Sequence, residues 1–528
     1  MEYQVTANPE VVAAPQVEGD PTEPGLAKGV VKLPGVLFVA IATMAPGAGA
    51  AYSISTGALF GGGALALAVV FALVGSLLVA TAIGQLAKHM SSAGGLASYV
   101  GTSIHDAAGF VVAWAYPFMY LFALPYLALV FGNLLATTMV PDGGSGFTLI
   151  WTVGALICLA GAFATNYFGV EIGVRFGLIL GLIEITVLVV MSVWMISVSG
   201  DANSPSLFTT SHANIPGFEG INGVIAASVY GFLAFIGFEA AAPLAEETKN
   251  PRRNVPRAVV LSCLLIGLFY VLTAYSSTVY FGPDKMADFM TYNGGNAWIG
   301  LAKTLWGNGW IVLVVVLMIS SFACMNAAAL AATRSMWAMG RSGTIPSFFG
   351  RVHPRWRSPS KSIIVFFVLG TILTLVGGYV WDPVTAYSVF GTALTVCVLP
   401  IYFVTALACP VYYLRYRRSE LNVFLHVIVP VLGAILLVPA FLAGAGIPIV
   451  SFATPLSWPL SLAGPVVGAW YVIGIGISIY LLMRRKASLH RLSESTVDIE
   501  PAAPAMARSA GAPLTAGGPV MPNGVVAP

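Results

Sequence analysis

Two long stretches of this chain contain no charged residue, and they limit its possible folds more than any other feature. Leu33 to Ala87 and Leu421 to Met483 contain no Asp, Glu, Lys or Arg. About 20 apolar residues are enough for a helix to cross a bilayer, so each stretch predicts two spans. Of the 528 residues, 58% are hydrophobic and 9% are charged, which is more apolar surface than a water-soluble core can bury. The chain is therefore predicted to be a polytopic membrane protein.

Apolar runs bounded by glycine, proline and charged residues predict an all-α fold with twelve transmembrane helices. A run such as Ile311 to Met318 is continuously apolar, whereas strands of an outer-membrane barrel alternate apolar and polar residues. The predicted spans lie near 34–58, 63–87, 108–138, 147–165, 173–198, 221–244, 258–282, 309–337, 362–380, 384–408, 422–444 and 461–483. We expect a disordered tail at 1–32, helices 1–5 in 33–198, helices 6–10 in 199–408, helices 11 and 12 in 409–487, and a disordered tail at 488–528.

The distribution of Lys and Arg predicts the orientation of the chain in the membrane. Twelve spans place both termini on one side, and if that side is the cytoplasm, only Lys285 and Lys303 face outwards. This is the bias that the positive-inside rule describes. We therefore predict a multi-pass protein of the inner or plasma membrane with both termini in the cytoplasm.

Two predicted spans contain residues that interrupt a helix at mid-membrane. In the first span, Ala45 to Gly49 reads Ala-Pro-Gly-Ala-Gly, where proline removes a backbone donor and glycine loosens the helix. In the sixth, Tyr230 to Glu239 contains two glycines and an acid. Irregular backbone at this depth lines a cavity or lies inside protein. Breaks in the first and sixth helices are typical of a five-plus-five inverted repeat with a substrate site at the midplane. A simple packing kink at Pro46 and close helix contacts at the glycines are the alternative.

Two longer motifs resemble a known family of membrane proteins. Gly237 to Glu239, followed by Glu246 to Arg257, resembles the G-F-E…E-E-x-K-N-P-R-x-x-x-P-R signature of the amino acid–polyamine–organocation (APC) superfamily permeases. Asn326 to Ala332 and Ala338 to Pro346 resemble the eighth span of that family and its cytoplasmic exit. The resemblance implies a LeuT-like fold that binds an amino acid or amine between broken helices 1 and 6.

The resemblance also implies which residues contact the substrate. Free N–H groups near Ala45 to Ala48 are expected to hold a carboxylate, and carbonyl groups near Ala234 to Ile236 an ammonium group. Phe235 is expected to form a gate or a wall of the site. The predicted substrate-binding residues are Met44, Ala45, Pro46, Gly47, Ala48, Phe232, Leu233, Ala234, Phe235, Ile236 and Gly237. Many members of the family have Gly-Ser-Gly where this chain has Ala45-Pro46-Gly47, so recognition is left to backbone groups. Without a fixed charge in this set, a small or neutral amino acid is the favoured cargo.

Two acidic residues within the spans are candidates for ion coupling, because charges at this depth are costly and usually functional. Gly173, Gly177, Gly181 and Glu184 lie on one helix face, which predicts that Glu184 points into the bundle. By resemblance, some proton-coupled members place a lysine at this position. Proton coupling through Glu184 is favoured over sodium coupling.

Alternatives to proton coupling through Glu184 remain. Ser320 and Ser321 resemble the paired hydroxyl groups of sodium-coupled relatives, and a purely structural hydrogen bond is the third reading. Glu239 has either a coupling or a structural role.

The sequence favours a secondary active transporter over other classes of membrane protein. It has no P-loop, no G-x-S-x-G and no H-E-x-x-H motif, so an enzyme is not expected. No span carries the repeated polar stripe of a channel. The five cysteines lack metal-site spacing, and no metal, cofactor or nucleic acid partner is expected. A transporter or exchanger of polyamines or cationic amino acids, and a nutrient sensor that binds without transport, remain alternatives.

Overall fold

The computed structural model describes residues 31–90, 94–141, 143–169, 174–245 and 248–493, with only the backbone described for 174–178 and 493. The α-helices in these ranges are α1 (Leu33–Thr43), α2 (Pro46–Ala48), α3 (Ser55–Gly61), α4 (Leu65–Ala87), α5 (Gly95–Ser103), α6 (Asp106–Met139), α7 (Phe147–Phe168), α8 (Val174–Val198), α9 (Ile221–Phe235), α10 (Pro251–Phe281), α11 (Tyr292–Gly295), α12 (Ala297–Trp306), α13 (Trp310–Ser342), α14 (Ser360–Trp381), α15 (Pro383–Tyr416), α16 (Val429–Gly444), α17 (Ala463–Arg484) and α18 (Lys486–Ser493). Two-residue strands β1 (Asn214–Ile215) and β2 (Phe218–Glu219) form an antiparallel hairpin.

Shorter helical segments connect these elements. The π-helices are Gly49–Ile54 and Phe424–Ile428. The 3₁₀ segments are Gly62–Ala64, Gly200–Ala202, Pro205–Phe208, Thr210–His212, Phe238–Leu244, Pro283–Asp288, Gly307–Gly309, Ser347–Gly350, Arg418–Glu420 and Leu460–Leu462.

Eleven stretches of the described chain are long and apolar enough to cross a membrane. The first, Leu33–Ala87, has 55 residues and includes two predicted spans, which are separated at Gly62 by a left-handed φ of +52°. Leu182 on α8 and Val472 on α17 are 63% and 70% exposed, as lipid-facing side chains are. The prediction of an all-α polytopic membrane protein is confirmed, and the count of twelve spans stays a prediction.

The first helix breaks at Ala45, as its sequence predicts. Helix α1 ends at Thr43, and Ala45 adopts a left-handed conformation with φ of +46°. Pro46 then starts α2, where a missing N–H is tolerated because the first N–H groups of a helix have no partner within the helix. The chain continues through the π-helix into α3. Helix 1 therefore consists of two halves joined at Met44 and Ala45.

The sixth predicted span breaks after Phe235. Ile236 is extended, with φ of −60° and ψ of 123°, and Gly237 has φ of +126°, which is accessible only to glycine without strain. A Cβ atom at Gly237 would lie 2.7 Å from the carbonyl carbon of Thr43. The two breaks are therefore in direct contact. The fold brings together segments that are almost 200 residues apart in the sequence.

Helix α18 changes one predicted boundary. Residues 488–528 were expected to form a disordered tail, yet Lys486–Ser493 is helical and packs against α5, α6, α13 and α17. Leu489 is completely buried in a small apolar cluster with Phe110 and Met339. The expected tail can therefore begin no earlier than residue 494. Residues 494–528 and residues 1–30 lie outside the described ranges.

Candidate functional site

A cavity lies between the two helix breaks. Its volume is about 40 Å³, and it is bounded by Thr43, Met44, Ala45, Ala48, Gly49, Ser53, Tyr120, Ala123, Tyr126, Leu127, Leu233, Ala234, Ile236, Cys324, Ala328 and Leu394. All of these residues are buried except Cys324, which is partly exposed. None of them is charged. The cavity is therefore a small chamber that has no charged side chain and is bordered by two interrupted backbones.

Six of the predicted substrate-binding residues line this cavity. They are Met44, Ala45, Ala48, Leu233, Ala234 and Ile236. Pro46, Gly47 and Gly237 lie at the breaks but do not reach its surface. Gly237 instead contacts Thr43 and Met44, and Gly47 contacts Glu184. The glycines thus permit close packing of the breaks around the cavity.

The two phenylalanines among the predicted substrate-binding residues point away from the cavity. Phe235 packs edge-on against Tyr270, with ring centroids 5.5 Å apart, and is completely buried. Phe232 packs against Phe71 and against the position where a Cβ of Gly75 would lie. Because successive residues of helix α9 face different directions, Leu233 and Ala234 reach the cavity whereas Phe232 and Phe235 do not. Their placement does not support a gate or wall role for Phe235.

The N–H groups at the start of α2 are bonded to side chains from two other helices. The Gly47 N–H donates to Glu184 Oε1, and the Ala48 N–H donates to Ser320 Oγ at 3.1 Å. Ser320 Oγ also donates to the same Glu184 oxygen at 2.5 Å. Glu184 is 7% exposed, and Gly181 on its helix packs against Phe38. Glu184 therefore joins the first break to α8 and α13. Gly173, which was expected on the same face, lies outside the described residues.

The carbonyl groups at the end of α1 also have partners from distant helices. Tyr270 on α10 donates its hydroxyl hydrogen to the Met44 carbonyl at 2.8 Å. The Cys324 thiol lies 3.5 Å from the Thr43 carbonyl as a weak donor. A helix leaves its last carbonyl groups unpaired, and these bonds satisfy two of the carbonyl groups at the first break.

Glu239 is enclosed by hydrogen-bond donors at the second break. Its Oε2 accepts the Gly237 N–H at 2.9 Å and the Tyr402 hydroxyl at 2.6 Å, and its Oε1 accepts the Tyr120 hydroxyl at 3.3 Å. It is 1% exposed. Both carboxylate oxygens are therefore bonded, and the contacts favour the structural alternative for Glu239. Tyr120 connects this network to the cavity surface.

The hydroxyl groups of Ser320 and Ser321 point in different directions. Ser320 contacts Glu184, whereas Ser321 Oγ donates to the Leu317 carbonyl of its own helix at 2.9 Å. Within the described part of the chain, no group of three His, Cys, Asp or Glu side chains is arranged to hold a metal ion.

Several residues of the cavity were not predicted from the sequence. Most of them come from α6, α13 and α15, which carry no break, and the others are Thr43 at the end of α1 and Gly49 and Ser53 in the π-helix. Ser53 Oγ and the Tyr126 hydroxyl are hydrogen-bonded at 2.7 Å. On α6, Tyr120, Ala123 and Leu127 are spaced by three and four residues and share one helix face. That spacing is visible in the sequence, but it is shared by many buried apolar faces.

A layer of tyrosines separates the cavity from the segment that precedes α12. Tyr387 packs edge-on against Tyr52 and Tyr126, at 6.1 Å in each case. The Tyr52 hydroxyl donates to Asn296 Oδ1 at 2.8 Å, and the Asn296 amide donates to Thr137 at 2.9 Å. The segment is therefore fixed to two helices and covers this side of the chamber.

Comparisons with known proteins agree with this arrangement. Residues 32–472 match the Amino acid permease family. The low-affinity putrescine importer PlaP of Escherichia coli (strain K12) is 27% identical over 70% of this chain and 78% of its own length. The branched-chain amino acid permease BcaP of Bacillus subtilis (strain 168) is 23% identical over 62% of this chain and 69% of its own.

A solved structure shows the same arrangement of helices. A crystal structure of a mutant manganese transporter from Eremococcus coleocola matches with a TM-score of 0.52 and 13% identity, covering 89% of this chain and all of that one. At this identity the match concerns the fold alone. It confirms the LeuT-like fold expected from the sequence.

Substitution of Gly237 by alanine is expected to weaken substrate binding at least tenfold. The new Cβ would lie 2.7 Å from the Thr43 carbonyl carbon and 2.8 Å from the Met44 nitrogen, so the breaks must separate. A left-handed non-glycine residue adds about 1–3 kcal/mol of backbone strain. Gly476→Ala is the matched control, since no atom lies within 4 Å of its Cβ position. A scintillation proximity assay with wild-type binding by Gly237→Ala would refute the placement of the site.

Alkylation of Cys324 by N-ethylmaleimide is expected to block substrate binding, because its thiol borders the cavity. The other four cysteines are buried, so they should react more slowly. Bound substrate should slow the labelling of Cys324, as measured by mass spectrometry. The variant Cys324→Ala should bind substrate and resist the reagent. Equal inhibition of this variant would show that the cavity is not the binding site.

Proposed function

Because its match spans residues 32–472, the chain belongs to the amino acid permease family of the APC superfamily, and we propose that it is a proton-coupled secondary active transporter of a small amino acid or amine. It is a multi-pass membrane transporter and not an enzyme. The proposed cargo binds in the chamber between the two breaks and crosses the membrane by alternating access. The proposed location is the inner or plasma membrane.

The observation that carries the proton-coupling proposal is the position of Glu184. Its carboxylate accepts hydrogen bonds from the Gly47 backbone on α2 and from Ser320 on α13. Hydrogen bonds to an ionised acceptor are about twice as strong as neutral ones. Protonation of Glu184 would therefore weaken the connection between the broken helix and α13. Protonation of Glu184 would thus change the contact between the broken helix and α13, which alternating access also has to change.

A sodium ion is the second candidate for coupling. Glu184 and Ser320 offer two adjacent oxygen atoms, and hard cations prefer oxygen ligands. The orientation of Ser321 away from Glu184 favours the proton, because a bound cation needs several converging oxygens.

The proposed cargo class rests on the solutes that the relatives are named for and on the carbonyl groups at the end of α9. The relatives are named for putrescine and branched-chain amino acids, and a third, the vacuolar cationic amino acid transporter 4 of Arabidopsis thaliana, is 26% identical over 65% of this chain. All of these solutes contain an amino group. The carbonyl groups that end α9 suit such a group, because the ends of half-helices attract cations.

The substitution Glu184→Gln is expected to separate exchange from accumulation. Glutamine keeps the shape of the side chain but cannot gain or lose a proton. In proteoliposomes, counterflow exchange should persist within a fewfold of the wild type, while accumulation under an imposed pH gradient should fall at least tenfold. Accumulation that persists in the variant would contradict proton coupling. A requirement for sodium in the wild type would favour the second candidate.

Glu239→Gln is the matched comparison, because Glu239 is the other buried acid in the described part of the bundle. Three hydrogen-bond donors surround its carboxylate, so its loss should disturb the second break itself. We expect exchange and accumulation to fall together in this variant. The roles of the two acids are thus distinguished by the ratio of the exchange rate to the accumulation rate, and not by total activity.

A further inference from the structure

We propose that this transporter selects amines that lack a carboxylate and discriminates against the corresponding amino acids, because Glu184 already occupies the position where a cargo carboxylate would bind. The inference rests on the proposed transport function and narrows its substrate class. It reverses the cargo preference expected from the sequence.

All backbone donors of the first turn after the break are used or absent. Pro46 has no N–H, Gly47 donates to Glu184, and Ala48 donates to Ser320. The next N–H, of Gly49, already donates to the Ala45 carbonyl at 2.7 Å within the helix. A cargo carboxylate would have to displace Glu184 or Ser320 to reach these donors. The protein thus supplies its own carboxylate at the end of the half-helix, where the dipole favours a negative charge.

The remaining wall of the chamber offers a cargo carboxylate no alternative partner of positive charge. No Lys, Arg or His is among the lining residues. Among the hydroxyl groups at the wall, Tyr120 donates to Glu239 and Thr43 donates to the Val39 carbonyl. Ser53 and Tyr126 share one hydrogen bond, which leaves one hydroxyl hydrogen of that pair as a neutral donor. Moving a carboxylate from water to such a site without compensating partners is strongly unfavourable. An amino acid would therefore bind with its carboxylate only partly satisfied and without a positively charged partner.

An ammonium group meets the opposite conditions. Within the described residues, Glu184 forms no ion pair with Lys, Arg or His, so its charge is uncompensated at the centre of the bundle. Its partner Ser320 also accepts the N–H of Ala48, which borders the chamber, so the charge lies close behind the chamber wall, and opposite charges attract more strongly inside a protein than in water. Carbonyl groups at both breaks add acceptors for N–H donors.

Matched pairs of solutes test the proposal, because each pair differs only by the carboxylate. The pairs are lysine and cadaverine, ornithine and putrescine, and leucine and isoamylamine. The purified full chain is reconstituted in proteoliposomes, and the uptake of each radiolabelled solute is measured. Unlabelled solutes are then compared as competitors of that uptake. We expect each amine to compete at least tenfold better than its parent amino acid. A preference for the amino acids would overturn the inference but leave the transport proposal intact. Absence of uptake for every solute would contradict the transport proposal itself.

Two substitutions of Glu184 test the cause of this preference. Glu184→Ala frees the Gly47 N–H and removes the negative charge, so the preference for amines should fall at least tenfold. Glu184→Gln keeps an oxygen that accepts the Gly47 N–H but lacks the charge, so amine binding should weaken by no more than a fewfold and amino acid binding should not improve. Glu219→Ala, on the exposed β-hairpin, is the control and should keep the wild-type preference. An unchanged preference in Glu184→Ala would refute the role of Glu184. If that variant does not fold, the wild-type pairs and Glu184→Gln still decide.

Discussion

Backbone groups that are released at a helix break within a membrane need partners, and this requirement organises the centre of the protein. The break at Ala45 exposes donors on α2 and acceptors on α1. Side chains from α8, α10 and α13 satisfy them through Glu184, Tyr270 and Ser320. The second break at Gly237 packs against the first. The helices that supply these partners also surround the chamber, so one set of contacts maintains both the fold and the candidate site.

The two buried acids are used differently although they lie near equivalent breaks. Glu239 has donors on both oxygens and packs within tyrosine side chains, which makes it part of a fixed structure. Glu184 accepts both of its hydrogen bonds on one oxygen, Oε1. The two donors lie on α2 and α13, whose contact alternating access can change. A buried charge with few partners is costly. Such a residue can respond to a proton, an ion or a cationic cargo, whereas Glu239 is already satisfied.

The sequence by itself determined the membrane class, the helical fold and the positions of the two breaks. Charge-free stretches such as Leu33 to Ala87 leave only transmembrane helices, and Pro46 and Gly237 mark where those helices are interrupted. The family motifs near Gly237 and Arg257 gave the LeuT-like fold. Cavity residues adjacent to the breaks, such as Met44 and Ala234, were therefore predictable. These properties depend on local chemistry and on motif spacing, both of which can be read along the chain.

Only the tertiary structure decided which side chains meet at the breaks. Nothing in the spacing of Gly47, Glu184 and Ser320 indicates that they share hydrogen bonds, because more than 130 residues separate each neighbouring pair. The rotation of α9 turned Phe235 away from the cavity, and α6 contributed Tyr120 and other wall residues without any break to mark them. Helix rotation and the choice of neighbours follow from packing of the whole bundle, so no local pattern specifies them.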